Sequence, residues 1–224
     1  MRITLIRTDM TAPAIGRKRA KDVMQPLACA ILAGLTPGDI EIKFYDDRIE
    51  DIPVDERTDA AVISLESHTA RRGYELARAF RARGVKVIVG GIHPSAMPEE
   101  AGLNADSVAI GEAEGIWPEI IHDLRSGSLK KFYRSNGQPS LEGLRVRRDI
   151  FRGKRYLPLV PVEFGRGCCY ACDFCSVSSF YRGYRHRPVK DVAGELHGLD
   201  RGRIFFIDDN IAASPAAARS LFEA

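Results

Sequence analysis

The run AAVISL at 60–65 constrains the fold of this chain more than any other stretch. It has no polar alternation, so it reads as a strand buried on both faces, which is the mark of a parallel sheet covered by helices on each side. Similar short apolar runs recur along the first 130 residues, alternating with helical patterns as expected of βαβ units. Ile3 to Arg7, Glu41 to Tyr45, Val85 to Val89 and Ser107 to Ile110 read as the other strands. A helix is expected from Gln25-Pro26 through Leu35, with proline in its first turn, where a missing N–H costs little. Arg71 to Arg83 carries Leu76, Ala79 and Phe80 on one face and ends at Gly84, a residue suited to the left-handed position after a helix. Ile116 to Leu124 is the next helix.

In an open parallel sheet, ligands bind beyond the carboxyl ends of the strands. Three post-strand turns lie there: SLESHT at 64–69, GGIHPS at 90–95 and GEAEG at 111–115. Their candidate contacts are Ser64, Thr69, Gly90, Gly91, His93, Gly111 and Glu112. Adjacent glycines let a ligand approach the backbone closely, although glycines also serve simply to make tight turns. His68 and His93 lie beside this edge, but a lone histidine is more often a surface or capping group than a metal ligand, and His93 is kept only as a contact at the ligand's periphery.

A second chemistry lies in GCCYACDFCSV at 167–177, where Cys168, Cys172 and Cys175 have the spacing C-x3-C-x2-C. Three thiolates can hold a cubane iron–sulfur cluster while leaving one iron without a protein ligand. Cys169 allows another register, C-x2-C-x2-C, the start of a ferredoxin run. That run needs a further cysteine followed by proline, and Ser179-Phe180 stands there instead. Structural zinc needs a fourth ligand at short spacing, and His186 and His197 are poorly placed for it. Five cysteines without a signal peptide also argue against a disulfide framework and for a reducing cytoplasm. Cys29, inside LACAIL, reads as a small core residue.

The cysteine spacing, with Phe174 just before the last cysteine, resembles the signature of the radical S-adenosylmethionine (SAM) enzymes. That resemblance implies a [4Fe–4S] cluster whose open iron takes the amino and carboxylate groups of SAM, and reductive cleavage to a 5'-deoxyadenosyl radical. It implies that Phe174 packs near the adenine. It also implies a small external one-electron reductant of the flavodoxin or ferredoxin type. The strand RIFFI at 203–207 ends in Asp208-Asp209-Asn210, where the family usually has Gly-Gly-Glu. The resemblance places these three side chains near the methionine moiety of SAM, where an acid can accept from its ammonium. A strand-ending turn with Asx caps is the plainer reading of the same residues.

The stretches PLACAILAGL, VISLES, VIVGGIHPSAMPEEA and VAIGEAEGIWPEII resemble, in order, the cobalamin-binding domain that precedes the radical SAM core in one large subfamily. The resemblance implies bound cobalamin and, as the leading reaction, methyl transfer to an unactivated carbon. Ring formation and other rearrangements occur in relatives. The D-x-H-x-x-G motif that supplies a cobalt ligand in B12 mutases is missing: the first loop, RTDMTAPAIG at 7–16, has no histidine.

The expected architecture is therefore α/β: a Rossmann-like (flavodoxin-like) parallel-sheet domain at 1–130, a basic linker at 131–157, and the first two βα units of a partial TIM-like radical SAM barrel at 158–224. LVPVEF at 159–164 would be the first barrel strand, and Ser214-Pro215 opens a last helix. Six basic residues between Arg145 and Arg155 suit a solvated connector or a phosphate grip. A formal charge of +3 is too small to point to nucleic acid, and no apolar stretch approaches the roughly 20 residues of a membrane span. Because the barrel pattern supplies two units, the chain reads as a fragment without turnover of its own. The alternative functions are a non-catalytic cobalamin- or nucleotide-binding module and an iron–sulfur electron carrier. The substrate, a small molecule, has no signature in these residues.

Overall fold

The computed structural model describes residues 1–10, 22–199 and 203–224. Positions 11–16 of the first loop thus lie outside the described residues. The first unit runs β1 (Arg2–Arg7), α1 (Leu27–Leu35), β2 (Glu41–Asp46), β3 (Ala60–Ser64), α2 (Ala70–Ala82), β4 (Lys86–Gly90), α3 (Ile92–Ala96), α4 (Pro98–Asn104), β5 (Ser107–Ile110), α5 (Trp117–Ser126) and β6 (Phe132–Arg134). Its six strands form one parallel sheet in the order β2-β1-β3-β4-β5-β6. The flavodoxin-like order is present, extended by one edge strand.

The alternation of the strands sorts the core into two layers. Ile3, Leu5, Ala60, Val62 and Ile88 face one side, where they meet Cys29, Ala30 and Ala33 of α1 and Trp117, Ile120 and Ile121 of α5. Ile6, Ala61, Ile63, Val87, Val89 and Val108 face the other side, against Leu76, Ala77 and Phe80 of α2 and Ala101 of α4. A period of two along each strand sends neighbours to opposite faces, so AAVIS is buried throughout except at its last residue. The buried Trp117 indole donates to Thr36 Oγ1 at 3.0 Å, which satisfies its one polar atom. Gly84, at φ +77, ends α2 as the sequence predicts. Pro26 is the residue before α1 rather than within its first turn.

The segment expected to be a solvated basic linker is instead packed. Phe132–Arg134 adds the sixth strand. Further on, Phe151 is buried in the first core layer, edge-on to Phe44 and Tyr156 at 5.5 Å each. The Tyr156 hydroxyl donates to the buried Asp46 at 2.9 Å, Lys154 pairs with Glu50, and the Arg147 N–H bonds the Ala30 carbonyl at 3.0 Å. The physical reason is that Val146, Ile150, Phe151 and Tyr156 are interleaved with the basic residues. Burying those side chains outweighs the solvation of the cations between them, of which Arg147, Arg148 and Lys154 keep their charged ends at carboxylates.

The second unit contains β7 (Leu159–Val162), β8 (Gly165–Arg166), α6 (Val177–Tyr181), β9 (Arg185–His186), α7 (Val189–His197), β10 (Arg203–Phe206) and α8 (Pro215–Glu223). Strands β7 and β10 pair in parallel, and β8 pairs antiparallel with β9. Val162, Phe164, Val192 and Leu221 make its small core. Ser214 Oγ accepts from the Ala217 N–H at 3.4 Å, capping α8 as expected. One parallel strand pair with its helices is as much of a barrel as the described residues form. Among the described residues, no helix is long and apolar enough to cross a membrane.

Candidate functional site

At the carboxyl edge of the first sheet lies a cavity of about 290 Å³. Leu5, Ile6, Val62, Ile63 and Ile88 give it apolar walls, and Ser64, Gly90, Gly91, Gly111 and Glu112 stand at its rim. The second unit completes it with Glu163, Arg166, Phe180, Tyr181 and Ile207. The volume is at the small end of ligand cavities, with room for part of a large cofactor. Gly91 shows why the tight turn needs glycine: its φ is +114, and a Cβ there would lie 2.4 Å from the Leu65 carbonyl oxygen. That geometry holds the backbone of the β3 and β4 turns together at the mouth.

Two expected contacts fall elsewhere. Thr69 is buried, with its hydroxyl shared between Thr8 Oγ1 at 2.8 Å and the Glu66 N–H at 3.0 Å, so it braces the β1 and β3 ends. His93 Nε2 lies 3.2 Å from Glu100 Oε1, with its ring 6.0 Å from that of Tyr74, so it ties α3 to α4 and α2 away from the cavity lining. His68 sits beside Glu66 at 3.1 Å.

The cysteines follow β8 on one exposed loop. Cys169 and Cys172 are exposed, Cys168 and Cys175 partly so, and the Cys175 N–H bonds the Cys172 carbonyl at 3.0 Å. Among the described residues, no three His, Cys, Asp or Glu side chains are gathered as a metal-ion site. The donor chemistry nonetheless fits a cluster, because four-iron cubanes are held by thiolates and these thiols are accessible. Cys168 is tuned further. The Tyr170 N–H and then the Asn210 amide, 3.5 Å away, hold its thiol below the usual cysteine range. Phe174, expected against an adenine, stands free at 92% exposure.

Asp208, Asp209 and Asn210 are brought to this loop as a set. Asp208 accepts the N–H groups of Phe164, at 3.1 Å, and of Gly165. Asp209 accepts that of Gly167 at 3.1 Å. Gly167 has φ +80 and no room for a Cβ, which would lie 1.9 Å from the Gly183 carbonyl oxygen. Burial raises the Asp208 carboxyl above its ordinary value. The D-D-N sequence therefore does structural work on the loop that begins at Cys168, and leaves part of each carboxylate's acceptor capacity unspent.

The sequence reading missed a buried ion cluster at the cavity wall. Arg166 reaches Glu112 and Glu114 at 2.7 Å and Glu163 at 3.0 Å, and Arg185 also pairs with Glu112. Burial pushes the Glu163 carboxyl upward, opposed by Arg166. Two glutamates in GEAEG and an arginine two positions before Cys168 were visible signals, but nothing local says that they meet.

Residues 15–121 match the family described as "B12 binding domain". The chain is 31% identical over 192 residues to bacteriochlorophyllide d C-8(2)-methyltransferase of Chlorobaculum tepidum, covering 82% of this chain and 42% of that one. It is 28% identical over 215 residues to the C-12(1)-methyltransferase of the same organism, covering 90% and 47%. Hopanoid C-2 methylase of Rhodopseudomonas palustris is 23% identical over 210 residues, covering 88% and 40%. The chain thus spans less than half the length of each of these relatives. With a B12-binding domain ahead of the cysteine loop, the chain belongs to the radical SAM family that carries such a domain.

Proposed function

We propose that this chain contributes the cofactor-binding part of a cobalamin-dependent radical SAM methyltransferase that methylates carbon. The observation that carries the reading is the shared cavity: the sheet edge where a B12-binding domain holds its ligand is closed by the segment that leads into the cysteine loop. Ser64, Gly90, Gly91, Gly111 and Glu112 would hold cobalamin, and Cys168, Cys172 and Cys175 the [4Fe–4S] cluster. When bound, the cobalamin would supply a methyl carrier and the cluster would pass on the one electron that cleaves SAM. Asp208, Asp209 and Asn210 shape the loop on which SAM would bind, and the two carboxylates would be the acceptors for its ammonium. The exposed Phe174 is available to cover the adenine. A flavodoxin- or ferredoxin-type protein would deliver the electron in a reducing cytoplasm. Methyl transfer is favoured over ring formation because the relatives described above are named as methyltransferases and a methylase.

Equilibrium dialysis of the chain against hydroxocobalamin tests the first half of this reading. About one cobalamin per chain is expected, and it should be lost when Gly111→Leu fills the rim of the cavity. Failure of the unsubstituted chain to retain cobalamin overturns the assignment.

A further inference from the structure

Arg166 joins the two units through Glu112 and Glu114. Its side chain is 7% exposed and touches three carboxylates that are themselves buried. Nη1 donates to Glu112 at 2.7 Å, Nη2 lies 2.7 Å from Glu114, and Nε and Nη2 bond Glu163 at 3.0 Å. Glu112 and Glu114 come from the turn after β5, and Glu163 from the end of β7. All four residues line the cavity. Buried charges are tolerated only when paired in good geometry, and removing one partner leaves another uncompensated. The planar fork of arginine can face several carboxylates at once, whereas a lysine ammonium is a single point charge.

The chain from Arg166 to the first cysteine has little slack. Gly167 follows at φ +80, pressed against Gly183 and held by Asp209, and Cys168 comes next. A displacement of the 111–115 turn by a ligand is therefore passed to Arg166, and from there to the loop.

We infer that Arg166 is a positioning residue that couples the sheet-edge cavity to the cysteine loop. Occupancy of the cavity sets the loop, and a cluster on the loop tightens binding in the cavity. This rests on the functional reading above. Such coupling is reciprocal by thermodynamic linkage. A purely structural clamp would lower stability when cut and leave the two binding events independent.

The test is the ratio of hydroxocobalamin dissociation constants for the chain before and after anaerobic reconstitution with iron and sulfide. It is measured for the unsubstituted chain, Arg166→Lys and Glu114→Gln. The unsubstituted chain should bind about fivefold or more tightly after reconstitution. Arg166→Lys should bring the ratio near one, and Glu114→Gln should lower it part of the way. Glu114→Gln leaves Arg166 two carboxylates, so it decides the matter should Arg166→Lys not fold. Amide exchange across 167–175 should slow on adding hydroxocobalamin to the unsubstituted chain and less so in either variant. A ratio near one in the unsubstituted chain, or one untouched by Glu114→Gln, overturns the coupling while leaving cobalamin binding intact. Absence of cobalamin binding to the unsubstituted chain overturns both.

Discussion

Cys168 and Cys169 are neighbours with the same thiol, and only their surroundings separate them. Cys168 receives the Tyr170 N–H and the Asn210 amide, and both favour the thiolate. Cys29 is the opposite case: full burial pushes its thiol up to about 12. Iodoacetamide should therefore modify Cys168 of the metal-free chain at a pH below the ordinary cysteine midpoint, and should reach Cys29 only on unfolding. Asn210→Ala should shift the Cys168 alkylation profile to higher pH, as followed by peptide mass spectrometry. An unchanged profile would show that the amide does not hold the sulfur. The spacing of the three cysteines, and the missing fourth cysteine that removes the ferredoxin pattern, were legible in the sequence. The Asn210 contact was not, because it joins residues 42 positions apart.

At the scale of elements, the β and α segments of the first unit follow the apolar periodicity closely. AAVISL, VKVIV and SVAI form parallel strands as predicted, since strands buried on both faces need helical cover and leave few other folds, and the structure sets the three side by side. The segment from 131 to 157 misled because six basic residues cluster between Arg145 and Arg155, while its fate was set by the apolar side chains between them. Phe151→Ala should lower the stability of the first unit by about 3 kcal/mol in urea unfolding, as expected for a buried phenylalanine in a packed core. A loss under about 0.5 kcal/mol would return the segment to the status of a solvated connector. His93 and Thr69 illustrate the same limit. Position after a strand brings a side chain to the correct edge, but the direction it takes depends on neighbours such as Glu100 and Thr8.

At the scale of the molecule, the sheet-edge cavity is walled in part by the second unit, through Glu163, Arg166, Phe180, Tyr181 and Ile207. The B12-binding match spans residues 15–121, and the segment that closes the edge of that unit's sheet leads through Arg166 into the cysteine loop. That juxtaposition links the turn after β5 to the start of the cysteine loop through Arg166. The most direct test is electron paramagnetic resonance of the chain after anaerobic iron–sulfide reconstitution and dithionite reduction, with and without SAM. The expected result is a [4Fe–4S]⁺ signal that shifts on adding SAM, survives Cys169→Ala and is lost in Cys168→Ala. A chain that forms no cluster, or a signal that SAM leaves unmoved, would contradict the account.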